Sequence, residues 1–217
     1  MDDTTSREKI LKKVRNASIN AAENLYTEVD TTSPIYPEMA ETADISFAQA
    51  FTAISGNFVY CENTAEIISN LSELIKEKEW DHLYCFEKSL AALLTKGGVP
   101  FSSDETTILD AHVGITGCEY LIARLGSVMV SSRQGSGRRL FVYPEVHIVI
   151  ASSSQLMPDL PEALTALREK YAVNMPSLVS LISGPSRTAD IEKTLVMGAH
   201  GPKEIYVFFC EEELMPA

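Results

Sequence analysis

The sequence predicts an α/β protein built around a mostly parallel sheet. Short runs rich in β-branched and aromatic residues alternate with amphipathic segments of helical period along most of the chain. The pattern is most compact near the end, where a strand at 178–182, a loop at 183–187 and a helix at 188–197 precede a last strand at 204–209. Ligands of open α/β sheets bind beyond the carboxyl ends of the strands, so we expect the functional residues on the loops that follow strands.

The first 43 residues are predicted to form an N-terminal helical arm and a linker. Apolar residues recur at helical spacing over 6–28, and a polar stretch with Pro34 and Pro37 follows. We expect the arm to pack on the body of the protein or on a partner, and residues 44–217 to form the main domain.

Strands and helices alternate through the main domain. The predicted helix over 64–75 has a clear apolar stripe, and Asp159 with Pro161 suits the start of another helix. The remaining predicted strands lie at 58–61, 82–86, 110–113, 127–131, 140–143 and 147–151. The predicted helices before residue 178 lie at 46–54, 64–75, 88–95, 118–124 and 160–171.

Composition excludes several classes of protein. The 217 residues carry 18 Lys+Arg and 30 Asp+Glu, a formal net charge of −12, which disfavours nucleic-acid binding and anionic membrane surfaces. The start of the chain is too polar for a secretory signal, and no apolar run approaches the roughly 20 residues of a membrane span. The four cysteines form no C-x-x-C pattern, so we expect free buried thiols, no metal or cluster in this chain, and a cytoplasmic location.

A local charge contrast marks the middle of the chain. Residues 120–144 contain no acid but four arginines: Arg124, Arg133, Arg138 and Arg139. A basic stretch within an acidic chain predicts a site for a small anion. The glycine-containing loop at 132–139 can present bidentate guanidinium donors to a carboxylate or phosphate, and a mobile hairpin tip with solvated arginines is the alternative.

The loop at 113–119 is the second candidate. Gly114 and Gly117 flank Thr116, and glycines let successive backbone N–H groups approach an anion. Glu119 is predicted in the first turn of the following helix, where the helix dipole favours its charge. A simple glycine turn with a capping acid explains the same residues equally well.

The loop after the strand at 178–182 predicts an anion site at a helix N-terminus. Ser186 or Thr188 can cap this helix, and Asp190 suits its first turn. Capping does not account for Arg187, because a cation is unfavourable at the positive end of a helix. Arg187 therefore favours a binding role for this loop.

The four histidines show no H-x-H or H-x-x-x-H spacing, so a zinc site needs residues from distant segments. His82 and His112 lie on strand patterns and are predicted to be structural. His147 and His200 are either acid–base groups near the ligand or residues that order their loops.

Several motifs together resemble the lactate-utilisation (LUD) domain family, and within it the lactate utilisation protein C type. In chain order they are G-I-T-G-C-E at 114–119, G-S-G-R-R at 135–139, P-E-V-H at 144–147, L-I-S-G-P-S-R-T-A-D-I-E-K-T-L at 181–195 and G-A-H-G-P-K-E at 198–204. The resemblance implies a three-layer α/β sandwich like the NagB/RpiA/CoA transferase group. It also implies a part in oxidising L-lactate to pyruvate beside an iron–sulfur subunit and a cysteine-rich subunit, with no cofactor in this chain.

The expected function is therefore that of a lactate-utilisation component that binds a small anion. The candidate ligand-binding residues are Gly114, Thr116, Gly117, Arg138, Arg139, His147, Ser183, Gly184, Ser186, Arg187 and Thr188. The candidate catalytic residues are Glu119, Asp190 and His200. Two alternatives stay open: a non-catalytic assembly subunit for the iron–sulfur partner, and an isomerase- or transferase-like enzyme for a phosphate- or CoA-bearing substrate.

One departure from the family pattern bears on activity. Relatives usually carry a run like Ala-Glu-Thr-Gly-Thr where this chain has Ala123-Arg124-Leu125-Gly126-Ser127. An acid is thus replaced by Arg124 and a hydroxyl by Leu125. If that acid is catalytic in relatives, we expect the activity of this chain to be lost or altered.

Overall fold

The computed structural model describes residues 5–19, 33, 36–191, 194–197 and 201–214. The chain divides into two compact units, 1–38 and 39–217. The helices in chain order are α1 (Ser6–Ile19), α2 (Ala43–Ala53), α3 (Thr64–Glu77), α4 (Lys88–Lys96) and α5 (Leu160–Tyr171). The strands are β1 (Asn57–Cys61), β2 (Leu83–Tyr84), β3 (Val113–Thr116), β4 (Tyr120–Ile122), β5 (Ser127–Ser131), β6 (Val146–Ser152), β7 (Leu156–Met157), β8 (Val179–Ile182), β9 (Arg187–Ile191), β10 (Thr194–Met197) and β11 (Glu204–Cys210).

The first unit contributes α1. None of the residues of this helix is buried, although Ile10, Leu11 and Val14 form an apolar stripe. The helix covers the first part of the segment predicted over 6–28, and positions 20–28 lie outside the described residues.

The second unit is organised by a five-stranded parallel sheet in the order β1-β11-β6-β3-β2. All seven residues of β6 are buried, as expected for a parallel strand covered on both faces. Ile148 and Ile150 point to the layer of α3 and α4, where they meet Ile67 and Leu94. Helix α3 begins where the sequence predicts, because the Asn63 side chain accepts the N–H groups of the first turn.

A second, four-stranded sheet in the order β7-β4-β5-β8 covers the other face of the parallel sheet. Apolar side chains from both sheets and from α2 fill the space between them; they include Phe47, Phe51, Leu121, Val128, Val149 and Val207. Helices, parallel sheet and second sheet form the three layers expected of the fold, which confirms the α/β sandwich. Helix α5 covers the outer face of the second sheet through Ala163 and Leu167.

The predicted helix over 118–124 is wrong. This segment forms β4 and a short 3-10 helix, Ala123–Leu125. Consecutive apolar residues explain the difference: Leu121 packs between the sheets, whereas Ile122 packs against α5. Successive side chains point to opposite faces of a strand, so Leu121 and Ile122 enter separate cores. In a helix, neighbouring side chains lie only about 100° apart around the axis.

The predicted helix over 188–197 is also wrong. The segment forms the antiparallel strands β9 and β10. Its β-branched residues, among them Thr188, Ile191, Thr194 and Val196, favour strands over helices. The loop at 183–187 therefore leads into a strand, and the predicted anion site at a helix N-terminus is absent from the described residues there.

Three predicted strands differ as well, and the one predicted over 82–86 is limited to Leu83–Tyr84. Residues 140–143 form turns in which the N–H groups of Val142 and Tyr143 both donate to the carbonyl of Arg139. The strand predicted at 110–113 begins only at Val113, after a 3-10 helix, Glu105–Asp110. Among the described residues, no helix combines the length and apolar character needed to cross a membrane.

Candidate functional site

A cleft of about 840 Å³ lies beyond the carboxyl ends of the parallel strands. Residues that follow all five strands line it: Thr64 after β1, Glu87 after β2, Gly117 after β3, Ser154 after β6 and Leu214 after β11. This is the position at which open α/β sheets bind ligands. The cleft is therefore the candidate functional site.

Glu119 lies in the wall of the cleft, in the connection between β3 and β4. Its side chain is buried, yet its carboxylate accepts hydrogen bonds from Ser131 Oγ at 2.5 Å, Lys170 Nζ at 2.8 Å and Tyr171 Oη at 2.7 Å. Three donors compensate for the cost of removing this carboxylate from water. The prediction that Glu119 occupies a first helical turn is wrong, because the segment after it is a strand.

The charge of Glu119 contributes to the raised pKa values of two of its hydrogen-bond donors, Lys170 and Tyr171. Burial alone lowers the pKa of Lys170, but the hydrogen bond and the negative charge of Glu119 outweigh it, so the pKa of Lys170 is raised. Burial raises the pKa of the Tyr171 hydroxyl, and the hydrogen bond to Glu119 raises it further. Both shifts favour the protonated donors, which stabilises the cluster at neutral pH.

Glu87 is the second acid of the cleft. Its Oε1 accepts a hydrogen bond from the N–H of Gly117 at 2.9 Å. Burial raises the pKa of Glu87 and the charge of Glu119 adds to the rise, whereas the Gly117 N–H, the Ser136 side chain and Lys170 oppose it. The two carboxyl groups thus have different surroundings, since Glu119 has three side-chain donors.

Sequence reasoning missed Glu87, although a signal for it exists. Glu87 follows a predicted strand and precedes the predicted helix over 88–95, so the rule about loops after strands applies to it. It occupies the N-cap position of α4, but its side chain makes no capping hydrogen bond. An acid at an N-cap is usually explained by capping, and only the structure shows that this side chain lines the cleft.

Thr116 and His147 form a buried pair behind the cleft. The Thr116 hydroxyl donates to the carbonyl of Gly117 at 2.8 Å, and His147 Nε2 lies 2.8 Å from the same hydroxyl oxygen. Burial lowers the pKa of His147 to about 3, so the ring is neutral. Because the Thr116 hydroxyl gives its proton to the Gly117 carbonyl, its oxygen is left to accept from the tautomer that carries Nε2–H. Gly114 lies opposite His147 in the sheet, and a Cβ there would lie 2.4 Å from the Leu140 carbonyl. These contacts order the turn at Gly117.

The predicted anion-binding arginines each have a protein partner. Arg138 donates to Ser177 Oγ, and Arg139 lies 3.9 Å from the carboxylate of Glu105. Arg187 donates to the carbonyl of Ile54 at 3.2 Å and to Ser55 Oγ at 2.5 Å.

These contacts place Arg138 and Arg187 at opposite ends of β8, which spans about 13 Å. Ser177, the partner of Arg138, precedes this strand, whereas Gly184 follows it and lies against Ile54, the partner of Arg187. The structure therefore does not bring the loops at 132–139 and 183–188 into one cluster of arginines.

The residues of the third predicted loop lie near the amino ends of the parallel strands. Ser183, Gly184 and Ser186 line a separate cavity of about 260 Å³, together with Gly201 and Pro202, which precede β11.

The structure describes the rest of this loop only in part. Thr188 and Asp190 lie in β9, and their side chains are outside what the structure describes. His200 lies outside the described residues.

Arg124, the residue that departs from the family pattern, pairs with Asp159 at 2.6 Å, and Asp159 in turn caps α5 through the N–H of Leu160. Of the four arginines in the basic stretch, Arg133 is the one that lines the cleft, where it also donates to Asn174 Oδ1. Within the described part of the chain, no group of three or more His, Cys, Asp or Glu side chains is placed to hold a metal ion.

The fold belongs to a defined class. The model of the LUD domain matches residues 91–210, more than half of the chain, and the chain belongs to the LUD domain family. The resemblance drawn from the motifs is thereby confirmed. A crystal structure of a DUF162 family protein from Deinococcus radiodurans has the same fold, with a TM-score of 0.59 and 18% identity over 80% of this chain and 99% of that chain.

Several curated relatives carry the name Lactate utilization protein C. The protein from Halalkalibacterium halodurans is 40% identical over 94 residues, which cover 42% of this chain and 41% of that protein. The protein from Bacillus subtilis is 39% identical over 100 residues, 45% of this chain and 42% of that one. The protein from Shouchella clausii is 34% identical over 138 residues, 59% of each chain. The matches thus span about half the length of these relatives.

Proposed function

We propose that this chain is a component of a cytoplasmic L-lactate utilisation system, and that its cleft binds a small anion such as lactate or pyruvate. Membership of the LUD domain family and similarity to proteins named Lactate utilization protein C support the first part. The four cysteines are free and buried, which suits a reducing compartment.

The charge of the cleft carries the anion-binding part of the proposal. Three cations, Lys96, Arg133 and Lys170, line it against two acids, Glu87 and Glu119. Lys170 is engaged by Glu119, whereas Lys96 and Arg133, among the described residues, form no salt bridge with either acid of the cleft and provide positive charge for a ligand. The planar guanidinium of Arg133 suits a carboxylate better than the ammonium of Lys96.

The size of the cleft suggests how the anion is placed. Lactate has six non-hydrogen atoms and needs roughly the volume of three or four waters, about 100 Å³. A cleft of about 840 Å³ leaves most of its space free. We place the anion against the polar wall at Arg133, so that the apolar wall of Leu90, Leu93 and Leu214 faces a second reactant, such as an electron acceptor presented by a partner subunit.

Calorimetry with L-lactate and with pyruvate tests this placement. Replacing Arg133 with Ala removes a charge-assisted contact worth roughly 1.5–3 kcal/mol, so affinity falls about tenfold or more. Arg139→Ala is the control, because Arg139 is half exposed and pairs with Glu105 instead. Unchanged affinity in Arg133→Ala contradicts the placement, and a loss confined to Arg138→Ala or Arg187→Ala moves the site to the loops predicted from the sequence.

A second candidate function is docking to an iron–sulfur partner subunit. Helix α1 favours it, because Ile10, Leu11 and Val14 are 61%, 47% and 55% exposed and the helix carries five basic residues and one acidic residue. Such a helix suits an acidic, partly apolar partner surface. In this role, α1 binds the partner subunit of the same lactate-utilisation system.

Co-purification of the subunits tests the docking role. Leu11→Asp places a charge in the apolar stripe of α1 and is expected to abolish co-purification with the iron–sulfur subunit, while calorimetric binding of pyruvate is unchanged. Leu109→Asp is the control, because Leu109 is 75% exposed but lies outside α1. Intact co-purification of Leu11→Asp contradicts docking through this helix.

A further inference from the structure

We propose that Glu87 contacts the anionic group of the bound ligand as a neutral, protonated carboxyl, so that anion binding to the cleft takes up a proton. This inference rests on the proposed function, since it concerns the same cleft and the same class of ligand. It adds a binding residue that the sequence motifs do not include, and a dependence of binding on pH.

Contacts with Gly117 and Gly135 fix the position of the Glu87 side chain. Its Oε1 accepts the Gly117 N–H at 2.9 Å, and a Cβ added at Gly117 would lie 2.9 Å from Oε2. On the other side, a Cβ added at Gly135 would lie 3.4 Å from Glu87 Cγ. Gly117 thus leaves room for this carboxyl group, and the Cβ position of Gly135 lies at ordinary contact distance from its Cγ, so that Glu87 lines the cleft with Glu119.

The groups around Glu87 disfavour a second negative charge. Glu119 is the other acid of the cleft, and Lys170 lies 2.8 Å from that acid. Burial raises the pKa of Glu87 and the charge of Glu119 adds to the rise. Together they outweigh the opposing hydrogen bonds from the Gly117 N–H and the Ser136 side chain and the charge of Lys170. Cys85 contacts the Glu87 carbonyl, and the other titratable and charged groups that line the same cleft are Lys96, Cys118, Arg133 and Tyr171.

A bound anion also favours the protonated form of Glu87. A ligand carboxylate is a further negative charge beside Glu87, and like charges at close range disfavour ionisation of both. Protonated Glu87 instead donates an O–H···O⁻ hydrogen bond to the ligand, whereas ionised Glu87 repels it. The proton comes from solvent, and no covalent bond of the ligand forms or breaks.

Linkage gives the expected pH dependence. Above the pKa of free Glu87, each pH unit weakens anion binding by up to about tenfold, because the site must first be protonated. Below that pKa the affinity is independent of pH. Proton uptake on binding rises from zero toward about one as pH increases through this pKa.

The test is calorimetry with pyruvate from about pH 5 to about pH 8.5, in two buffers of different ionisation enthalpy, which reports the protons taken up. Glu87→Gln is the informative variant, because its amide oxygen still accepts the Gly117 N–H and its NH₂ group donates to the anion at every pH. We expect its affinity to be flat with pH, higher than that of the unaltered protein at the alkaline end, and free of proton uptake from residue 87.

Glu105→Gln is the control, because Glu105 lies on the surface beside Arg139 and is expected to keep the original pH dependence. The same pH dependence in Glu87→Gln as in the unaltered protein overturns the role of Glu87 and leaves the proposed function standing. Absence of pyruvate and lactate binding by the unaltered protein overturns the proposed anion site itself, and with it this inference.

A direct titration covers the case in which Glu87→Gln does not fold. The side-chain carboxyl of Glu87 in the ligand-free protein is followed by carbon-13 NMR against pH. We expect its midpoint above the ordinary glutamate value of about 4.3, and a further rise when pyruvate is added. A midpoint at or below that value overturns the inference.

Discussion

The two ends of the parallel sheet each hold a Lys–Glu ion pair with the same distance between nitrogen and oxygen. At the carboxyl end Lys170 Nζ lies 2.8 Å from Glu119, and at the amino end Lys203 Nζ lies 2.8 Å from Glu145. The lysine side chains are 51% and 49% exposed, but the glutamates are 0% and 56% exposed. The difference is burial of the acid, which makes the first pair structural and leaves the second solvated.

The glycines at the two ends of the sheet also differ in what packs against them. At the amino end, Gly184 has φ +79°, and a Cβ there would lie 2.4 Å from the Ile54 carbonyl. Packing of the backbone thus explains part of the long motif at 181–195. At the carboxyl end, Gly117 packs against the flexible end of the Glu87 side chain instead. The longest sequence motif therefore lies at the end where the backbone packs tightly, whereas the buried acids lie at the end with the large cleft.

The largest expected effect tests whether the glycines at the two ends of the sheet are packed differently. Gly184→Ala combines an unfavourable φ with a backbone clash and is expected to lower the free energy of unfolding by about 3 kcal/mol. Gly117→Ala displaces a side chain and is expected to cost only about 1 kcal/mol, while weakening pyruvate binding because Glu87 moves. Urea denaturation and calorimetry measure the two effects. Equal stability losses would show that the two ends are not packed differently.

The next effect tests whether burial of the acid makes one Lys–Glu pair more stabilising than the other. Lys170→Met leaves the buried Glu119 with two donors instead of three and is expected to cost about 2 kcal/mol. Lys203→Met removes a solvated pair of the same length and is expected to cost less than about 1 kcal/mol. Chemical denaturation at neutral pH compares the two variants directly. A loss in Lys203→Met as large as in Lys170→Met contradicts the role assigned to burial.

The smallest effect concerns pH. Because the pKa of Glu87 is raised in the folded protein, the folded state binds more protons than the unfolded state above the ordinary glutamate range. The unaltered protein therefore loses stability as pH rises through the raised pKa of Glu87. Glu87→Gln lacks this loss, so its stability relative to the unaltered protein increases with pH. Denaturation curves at several pH values check the sign, and a decreasing difference contradicts it.

Local signals account for the parts of the fold that the sequence predicts well. The strand over 127–131 and the helix over 160–171 have the predicted bounds, because each carries its own period and its own end signals. The helix predicted over 118–124 fails because its apolar residues serve two different cores, which depends on where the second sheet and α5 lie. Sequence reasoning found Glu119 as a candidate but placed it in the wrong element, and it missed Glu87 entirely.

By itself, the sequence determined the alternation of elements, the family and the loops worth examining, since these follow from short-range patterns and motifs. Only the tertiary structure decided which of these loops meet. Glu87 and Gly117 are 30 residues apart and Glu119 and Lys170 are 51 apart, and they come together because strand order and the position of α5 bring distant loops to one edge. Strand order also sends Arg187 to the opposite end. Such placement depends on pairing between distant segments, which no local pattern encodes.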